Sequence, residues 1–414
     1  MNLIYNISIS LYRIAIAISS LFNKKAQLWI DGRKDIFNKL QTAFSKSTTP
    51  LIWIHCASLG EFEQGRPMIE EIKRKHPNYS ILLTFFSPSG YEVRKNYQGA
   101  DHIFYLPIDT PANTNKFLDI VKPQYAFFVK YEFWFNYLNA LKRRKIPTYL
   151  VSGIFRDDHH FFKPYGKWSR AQLACFDHFF VQNKHSEELL RSIGYTNTTI
   201  TGDTRFDRVS EIAKTVKRFD LIEQFCKDHP VFIAGSTWNE DEQILAKSTI
   251  LSQGYKLIIA PHEIDKKHID SIIQQFKNGS PETQCIRYSE LSEKNYSLAS
   301  ILIIDNIGML SSLYQYGKIA YIGGGFGKGI HNILEAATFG LPVIFGPNYQ
   351  KFTEAKELIE QKGAFSISSE AGVNNILSSL NNESALKNAS TIAKNYVESN
   401  TGATSKILSH IRLK

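Results

Sequence analysis

Residues 51–65 read LIWIHCASLGEFEQG. The run 51–56 is apolar and strand-like. Gly60 then permits a tight turn or positive φ. The chain becomes amphipathic over 66–75, with Pro67 near a helix start, where its missing N–H costs nothing. Strand, glycine-containing loop and helix make one β-α unit, and the same alternation continues from there. Strand-like runs follow at 81–86, 102–106, 125–129, 147–151 and 177–182, with helix-like stretches between most of them. Residues 203–229 are polar and charged and hold no strand candidate. The alternation resumes at 231–235, 256–260, 301–304, 318–322 and 342–345, and about 370–412 reads as helices closing the second half. This pattern predicts parallel, doubly wound sheets. The expected fold class is therefore α/β, with two Rossmann-like domains facing a cleft. The expected boundaries are 1–40 for an N-terminal membrane-associating helix and basic segment, 41–208 for a first domain, 209–229 for a linker and 230–414 for a second domain.

The bulk numbers set limits. A chain of 414 residues has room for two or three domains. Hydrophobic content of 43% and aromatic content of 13% allow large cores and argue against global disorder. The formal net charge of +10 favours anionic partners: nucleic acid, phosphorylated small molecules or an acidic membrane surface. It does not choose among them. Cys56, Cys175, Cys226 and Cys285 are far apart and form no C-x-x-C pair, which argues against a zinc cluster or disulfide framework and for a reducing compartment.

Residues 1–22 read MNLIYNISISLYRIAIAISSLF, with Leu3, Ile7, Leu11, Ile14, Ile18 and Leu21 at helical spacing. Such a helix reaches about 30 Å, roughly a bilayer core. Arg13 and several Ser and Asn residues interrupt it, and neither a basic leader nor a small-residue cleavage site flanks it. Lys24, Lys25, Arg33 and Lys34 come next. An apolar helix beside a basic cluster suits an interfacial anchor on an anionic leaflet. An ordinary amphipathic helix packed on its domain is the blander alternative.

In open α/β sheets ligands bind beyond the carboxyl ends of the strands, so the loops after the strands carry the candidate chemistry. Glu61, at the start of the helix after strand 51–56, is placed to take a proton from a hydroxyl. A first-turn acid that merely complements the helix dipole is the structural alternative. Glu132, in Lys130-Tyr131-Glu132-Phe133-Trp134, is a second carboxylate just past a strand. Ser87, Ser89 and Gly90 form a polar loop after strand 81–86, able to hold a sugar or carboxylate, and Arg156 after strand 147–151 is a candidate for an anionic ligand.

The second half carries Gly235-Ser236-Thr237, small residues at a helix start that serve a phosphate or an ordinary N-cap. Gly323-Gly324-Gly325-Phe326-Gly327-Lys328-Gly329 has too many glycines for a plain turn. Close approach of backbone to a ligand is the expected reason, with Lys328 available for charge. The loop fits neither the Walker nor the dinucleotide pattern. Glu335 follows His331-Asn332 and can accept from two ribose hydroxyls. Gly346-Pro347-Asn348 is a further rim loop. Together these loops predict a nucleotide-phosphate site.

In this order the motifs resemble the 3-deoxy-D-manno-octulosonic acid (Kdo) transferases of lipopolysaccharide synthesis, along nearly the whole chain. The resemblance runs through Ser58-x-Gly60-Glu61, Thr84 with Ser89-Gly90, Glu132-x-Trp134 and Gly202 to Phe206-Asp207. It continues through Gly235-Ser236-Thr237, Asp305-x-x-Gly308, His331-Asn332-x-x-Glu335 and Gly346-Pro347. It implies a GT-B, metal-independent, inverting enzyme with no cofactor. The implied reaction moves Kdo from CMP-Kdo to the lipid A precursor, on the cytoplasmic side of the inner membrane. It implies Glu61 as the base and Glu132 as a second cleft carboxylate. CMP-Kdo contacts are expected among Ser58, Gly60, Gly235, Ser236, Thr237, His262, Gly324, Gly325, Lys328, Asn332 and Glu335. Ser87, Ser89, Gly90 and Arg156 are expected on the acceptor or sugar, with no metal and no nucleic acid. Two departures stand out: Pro261-His262 where many members read P-R-H, and Met309 where many carry an acid. Rival readings are a GT-B enzyme using a UDP-sugar and a lipid-linked acceptor, or a non-catalytic GT-B-like binding protein.

Overall fold

The computed structural model describes residues 2–45, 47–279 and 282–413. Met1 and Lys414, which bound the expected end segments, and Ser280 and Pro281 within the expected second domain lie outside the described residues. Two units are distinguished: Met1–Arg208 with Thr401–Lys414, and Val209–Asn400.

Seven parallel strands build the first unit: β1 (Leu51–Cys56), β2 (Ser80–Phe85), β3 (His102–Tyr105), β4 (Tyr125–Val129), β5 (Thr148–Gly153), β6 (His178–Val181) and β7 (Thr198–Ile200), in the order β3-β2-β1-β4-β5-β6-β7. Along β1, Ile52, Ile54 and Cys56 enter one core cluster while Leu51 and Trp53 enter another. Both faces of the sheet are covered, which is why its strands read as continuous apolar runs rather than alternating ones. The winding reverses at β1: β2 lies on one side and β4 on the other. The crevice past the carboxyl ends of β1 and β4 is where this architecture holds ligands.

The second unit repeats the scheme with β8 (Val231–Thr237), β9 (Lys256–Pro261), β10 (Cys285–Arg287), β11 (Ile301–Ile303), β12 (Ile319–Ile322), β13 (Val343–Phe345) and β14 (Ala364–Ser366), ordered β10-β11-β9-β8-β12-β13-β14. Its reversal falls between β8 and β12. The fold class is α/β with two parallel seven-stranded sheets, as the alternation predicts.

The sequence reading passes over β7, β10 and β14. Each has three residues and sits at a sheet edge, where short strands are the norm and little apolar surface is needed. Pro67 does not mark a helix start. The helix runs Leu59–Lys75 and holds Pro67 in its interior, at the loss of one backbone hydrogen bond. The expected linker 209–229 is partly helical, with helices Arg205–Lys214 and Asp220–Cys226 and buried Ile222 and Phe225. The chain end also departs from expectation, because Thr401–Lys414 joins the first unit rather than closing the second. Ile407, Leu408 and Ile411 of helix Ala403–Ile411 enter a core cluster of the first sheet. The Asp207 carboxylate fixes the helix start by accepting from the Gly402 and Thr404 N–H groups at 2.5 and 2.7 Å.

The N-terminal helix, Asn2–Ser19, is inside out by the standard of soluble proteins. It is long and apolar enough to cross a membrane by length and composition. Yet its polar and aromatic side faces the first unit. Tyr5 Oη donates to Asp109 Oδ2 at 2.6 Å, Asn136 Nδ2 donates to Asn6 Oδ1 at 2.9 Å, and the Tyr5 ring lies against Phe135 and Trp168. Leu3, Ile4, Ile7, Leu11, Ile14 and Ile18 are exposed, as are Leu21 and Phe22 beyond the helix. The basic segment needs one correction. The Arg33 guanidinium is not a surface charge: it donates to the carbonyls of Leu106, Trp29 and Phe86 at 2.9, 3.1 and 2.8 Å and lies over the Trp29 ring.

Candidate active site

The rim of the first sheet gathers two carboxylates. Ser58 ends the β1 loop as N-cap of helix Leu59–Lys75 and Glu61 sits in its first turn, where the dipole favours negative charge. A serine at this position ordinarily caps the helix backbone. Here its hydroxyl caps nothing and donates instead to Glu61 Oε2. The carboxylate is thus held from one side, leaving its other oxygen for a proton. Gly60 lies within the helix without positive φ, and a Cβ there meets nothing closer than 3.8 Å. The turn therefore does not demand glycine; what glycine leaves is bare surface beside Glu61.

Glu132 follows β4 and is 8% exposed. It ends a buried polar chain. Trp53 Nε1 donates to Thr84 Oγ1 at 2.8 Å, and Thr84 Oγ1 meets His55 Nδ1 at 2.9 Å. His55 Nε2 meets Glu132 Oε2 at 3.2 Å, and Trp134 Nε1 donates to the same oxygen at 2.6 Å. With the His55 proton on Nε2, Thr84 O–H donates to Nδ1 and Nε2–H donates to the carboxylate, while Trp134 Nε1, 3.2 Å from His55 Nε2, gives its proton to Glu132 instead. Sheet register makes the chain possible, since His55 pairs with Thr84 in β2 and with Phe128 in β4.

The two carboxylates share an electrostatic neighbourhood. Burial pushes the Cys56 thiol well up, and Glu61 and Glu132 push it further. Burial also raises the Tyr131 hydroxyl; Arg156 opposes this and Glu61 adds to it. Arg156 Nη1 donates to Tyr131 Oη at 3.3 Å, and its guanidinium stands 3.6 Å from Asp158. Two non-glycine residues at the same strand ends, Lys130 (φ 71°) and Ser152 (φ 51°), adopt left-handed backbone, a strain that clusters at functional sites. On the β2 loop, Ser87 caps the helix start through Ser89 N–H and meets Ser89 Oγ at 2.9 Å. Gly90 is a packing residue, because a Cβ would lie 2.3 Å from the Phe85 ring and 3.0 Å from the Ser58 carbonyl carbon.

The rim of the second sheet is built differently. Ser236, next to last in β8, also has left-handed backbone (φ 53°). Asp241, 1% exposed, ties three elements together by accepting from Trp238 N–H, Gly324 N–H and Tyr321 O–H at 2.9, 2.9 and 2.6 Å. Trp238, His262 and His331 stack in sequence with centroids 4.5 and 4.7 Å apart. Trp238 Nε1 donates to His331 Nε2 at 3.2 Å. Burial, aided by His262, holds the His331 pKa below its ordinary value. That agrees with a neutral ring whose Nε2 accepts. A cavity of about 470 Å³ is lined by Trp238, Phe326, Lys328 and His331, with Asp241 and Gly324. Its size lies within the roughly 300–1,000 Å³ of small-ligand pockets. Asn332 Nδ2 donates to Glu335 Oε1 at 3.1 Å, and burial, with Glu335 adding to it, raises the pKa of the Tyr314 hydroxyl, which stands over Gly235.

The glycines also meet a demand that the sequence does not display, crowding by neighbouring loops. A Cβ on Gly323 would lie 2.2 Å from the Ser236 carbonyl oxygen, and one on Gly325 would lie 2.6 Å from Gly346 N. A Cβ on Gly235 would lie 2.2 Å from Tyr314 Oη. Three rim loops are thus pressed backbone to backbone, and within loop 323–329 only at Gly327 would a Cβ make no more than ordinary contact, 3.7 Å from the Gly324 carbonyl oxygen. The first rim brings Ser58, Gly60, Glu61 and Glu132 together with Arg156, and the second brings Gly235, Ser236, Thr237, His262, Gly324, Gly325, Lys328, Asn332 and Glu335 to one sheet edge. Sequence reasoning missed His55 and Trp238 as parts of the rims and gave Asp241 and His331 no role of their own.

Comparison with known proteins gives one direction. Residues 34–208 match the family described as 3-deoxy-D-manno-octulosonic-acid transferase (kdotransferase). The chain is 28% identical over 342 residues to the 3-deoxy-D-manno-octulosonic acid transferase of Haemophilus influenzae, covering 77% of this chain and 76% of that one. It is 29% identical over 328 residues to that of Aquifex aeolicus, covering 77% and 82%. Among solved structures, the UDP-GlcNAc 2-epimerase of Neisseria meningitidis superposes with a TM-score of 0.60 at 15% identity, over 87% of this chain and 98% of that one. That likeness is of fold.

Proposed function

We propose that this chain, which belongs with the Kdo transferases of GT-B type, moves Kdo from CMP-Kdo to the lipid A precursor (lipid IVA) with inversion at the anomeric carbon. Glu61 is the base. Its carboxylate takes the proton of the acceptor hydroxyl, the freed oxygen pair forms the bond to the anomeric carbon, and the bond from that carbon to the phosphate oxygen breaks. CMP departs with the electron pair. A phosphate leaving group needs no protonation, so a single base suffices. Glu132, held by His55 and Trp134, presents a second carboxyl group on the same rim. Ser236, Lys328 and the N–H groups of loop 323–329 neutralise the departing phosphate, and Glu335 takes the ribose hydroxyls. The exposed aliphatic face of helix Asn2–Ser19 lies on the cytoplasmic leaflet of the inner membrane.

The observation that carries this reading is the Ser58–Glu61 pair at the switch point of the first sheet. Purified chain incubated with CMP-Kdo and lipid A precursor is expected to yield an acceptor heavier by one or more Kdo units, weighed by mass spectrometry. An unchanged acceptor mass, or transfer from a UDP-sugar instead, overturns it.

A further inference from the structure

A basin of about 500 Å³ opens beside the N-terminal helix, lined by Arg13, Arg33, Lys34 and Lys116 with a single acid, Asp35. Lys34 is ion-paired with Asp31 at 2.6 Å. Among the described residues no carboxylate stands within ion-pair distance of Arg13, Arg33 or Lys116. Arg33 is the telling member. Three of its N–H groups go to backbone carbonyls, which leaves two of its five donors uncommitted. Burial without a counter-ion brings its pKa down to about 9. Carbonyl dipoles and the rings of Trp29, Phe86 and Tyr105 surround this cation, and without a carboxylate it remains an unfinished ion pair. Arg13 stands on the same helix that exposes Leu11 and Ile14, so cationic basin and aliphatic ridge are continuous.

We propose that this basin binds the phosphate of one anionic phospholipid headgroup, while the acyl chains run along the aliphatic ridge of helix Asn2–Ser19. Charge and apolarity are separated as an anionic lipid separates them: cations in the recess, aliphatic side chains outside. The site is distinct from the carboxylate rim. The loop of Pro107 and Ile108 that lines it follows β3, two strands from β1, a separation of ~10 Å at ordinary strand spacing. The inference rests on the membrane-surface placement proposed above but not on the transfer chemistry, and its test reads no activity.

Full-length protein is titrated with neutral phosphatidylcholine vesicles and with vesicles containing about a third phosphatidylglycerol, and binding is read by sedimentation. Arg33 is left intact, because its carbonyl bonds hold three segments together. Arg13→Gln with Lys116→Gln is expected to weaken binding to phosphatidylglycerol vesicles by roughly 25-fold, about fivefold per cation, and to leave neutral-vesicle binding unchanged. Lys24→Gln with Lys25→Gln is the control, since it removes equal charge next to the same helix but outside the basin. Equal losses in the two double variants mean diffuse attraction and overturn the site. So does an unchanged affinity of the basin variant. If lipid A precursor, mixed into neutral vesicles at matched charge, restores binding as well as phosphatidylglycerol does, and through the same two residues, the basin is an acceptor site and the phospholipid assignment is wrong.

Discussion

The two sheets of this molecule share a winding scheme and differ in what they place at its reversal. Past β1 and β4 stand two carboxylates, one anchored by a serine and one by a buried chain of Thr84, His55 and Trp134. Past β8, β9 and β12 stand a stack of Trp238, His262 and His331, a lysine, and loops pressed so closely that a Cβ at Gly323 or Gly325 would clash with neighbouring backbone. The first rim has the parts to remove a proton. The second has an aromatic face and N–H groups, the parts to hold a nucleotide. In the proposed reaction one topology therefore serves two tasks, and the residues after equivalent strands decide which.

The sharpest way to break this comparison is to remove the first rim's base. Glu61→Gln keeps size and the Ser58 contact but cannot take a proton. It is expected to lower turnover about 10³-fold, while CMP affinity measured by calorimetry stays within about twofold of wild type. A loss of CMP affinity as large as the loss of turnover means the two rims do not divide the work. Next in size is His55→Ala, which leaves Glu132 and Thr84 buried without their shared partner. We expect about 1–3 kcal/mol of lost stability in the first unit and a turnover loss of about 10²-fold from the displaced carboxylate, read by denaturant melts and single-turnover assay. Normal turnover in a destabilised protein assigns the chain a packing role only.

The complementary change in the second rim is Gly325→Ala. Its Cβ meets the Gly346 backbone, an overpacking that costs about 1–3 kcal/mol. CMP affinity is expected to fall roughly tenfold, with the Glu61-dependent chemical step unaffected at saturating donor. A smaller effect concerns pH. The His178 pKa is lowered to about 4 by burial, with His410 of the returning C-terminal helix adding to the shift. In the unfolded chain the group titrates near its ordinary value of about 6.5. As pH falls below that value the unfolded state binds a proton that the folded state refuses until about pH 4. Stability is therefore full above this window and declines through it. Melts at about pH 7.5 and about pH 5 should show the first unit losing stability on acidification, and His178→Asn should flatten that dependence. An unaltered slope in the variant assigns the acid sensitivity to other groups.

Much of this was legible in the chain itself, and the gaps have physical causes. Strands β1 and β4 have the same bounds in sequence and structure because both lie inside the sheet, where an unbroken apolar run is required. Edge strands β7, β10 and β14 carry no such requirement and left no signal. The rim positions of Glu61 and Glu132 were legible because each lies within five residues of the end of an apolar run. His55 was not, because it sits within β1 and meets Glu132 only through a pairing 77 residues away. The glycine loop was seen, but the crowding around it was not. Its crowding comes from Ser236 and Gly346, and those contacts exist only after the sheet has assembled. The C-terminal helix was assigned to the wrong half for the same reason: its anchor, Asp207, lies 195 residues earlier.

The division of labour is tested most directly by hydrogen exchange of the backbone with and without CMP. Slowed exchange is expected in the segments after β8 and β12, residues 235–242 and 323–335, with residues 57–62 and 130–135 unchanged. Protection that appears in 57–62 and 130–135 while 235–242 and 323–335 exchange as before would place the nucleotide on the carboxylate rim and contradict the account.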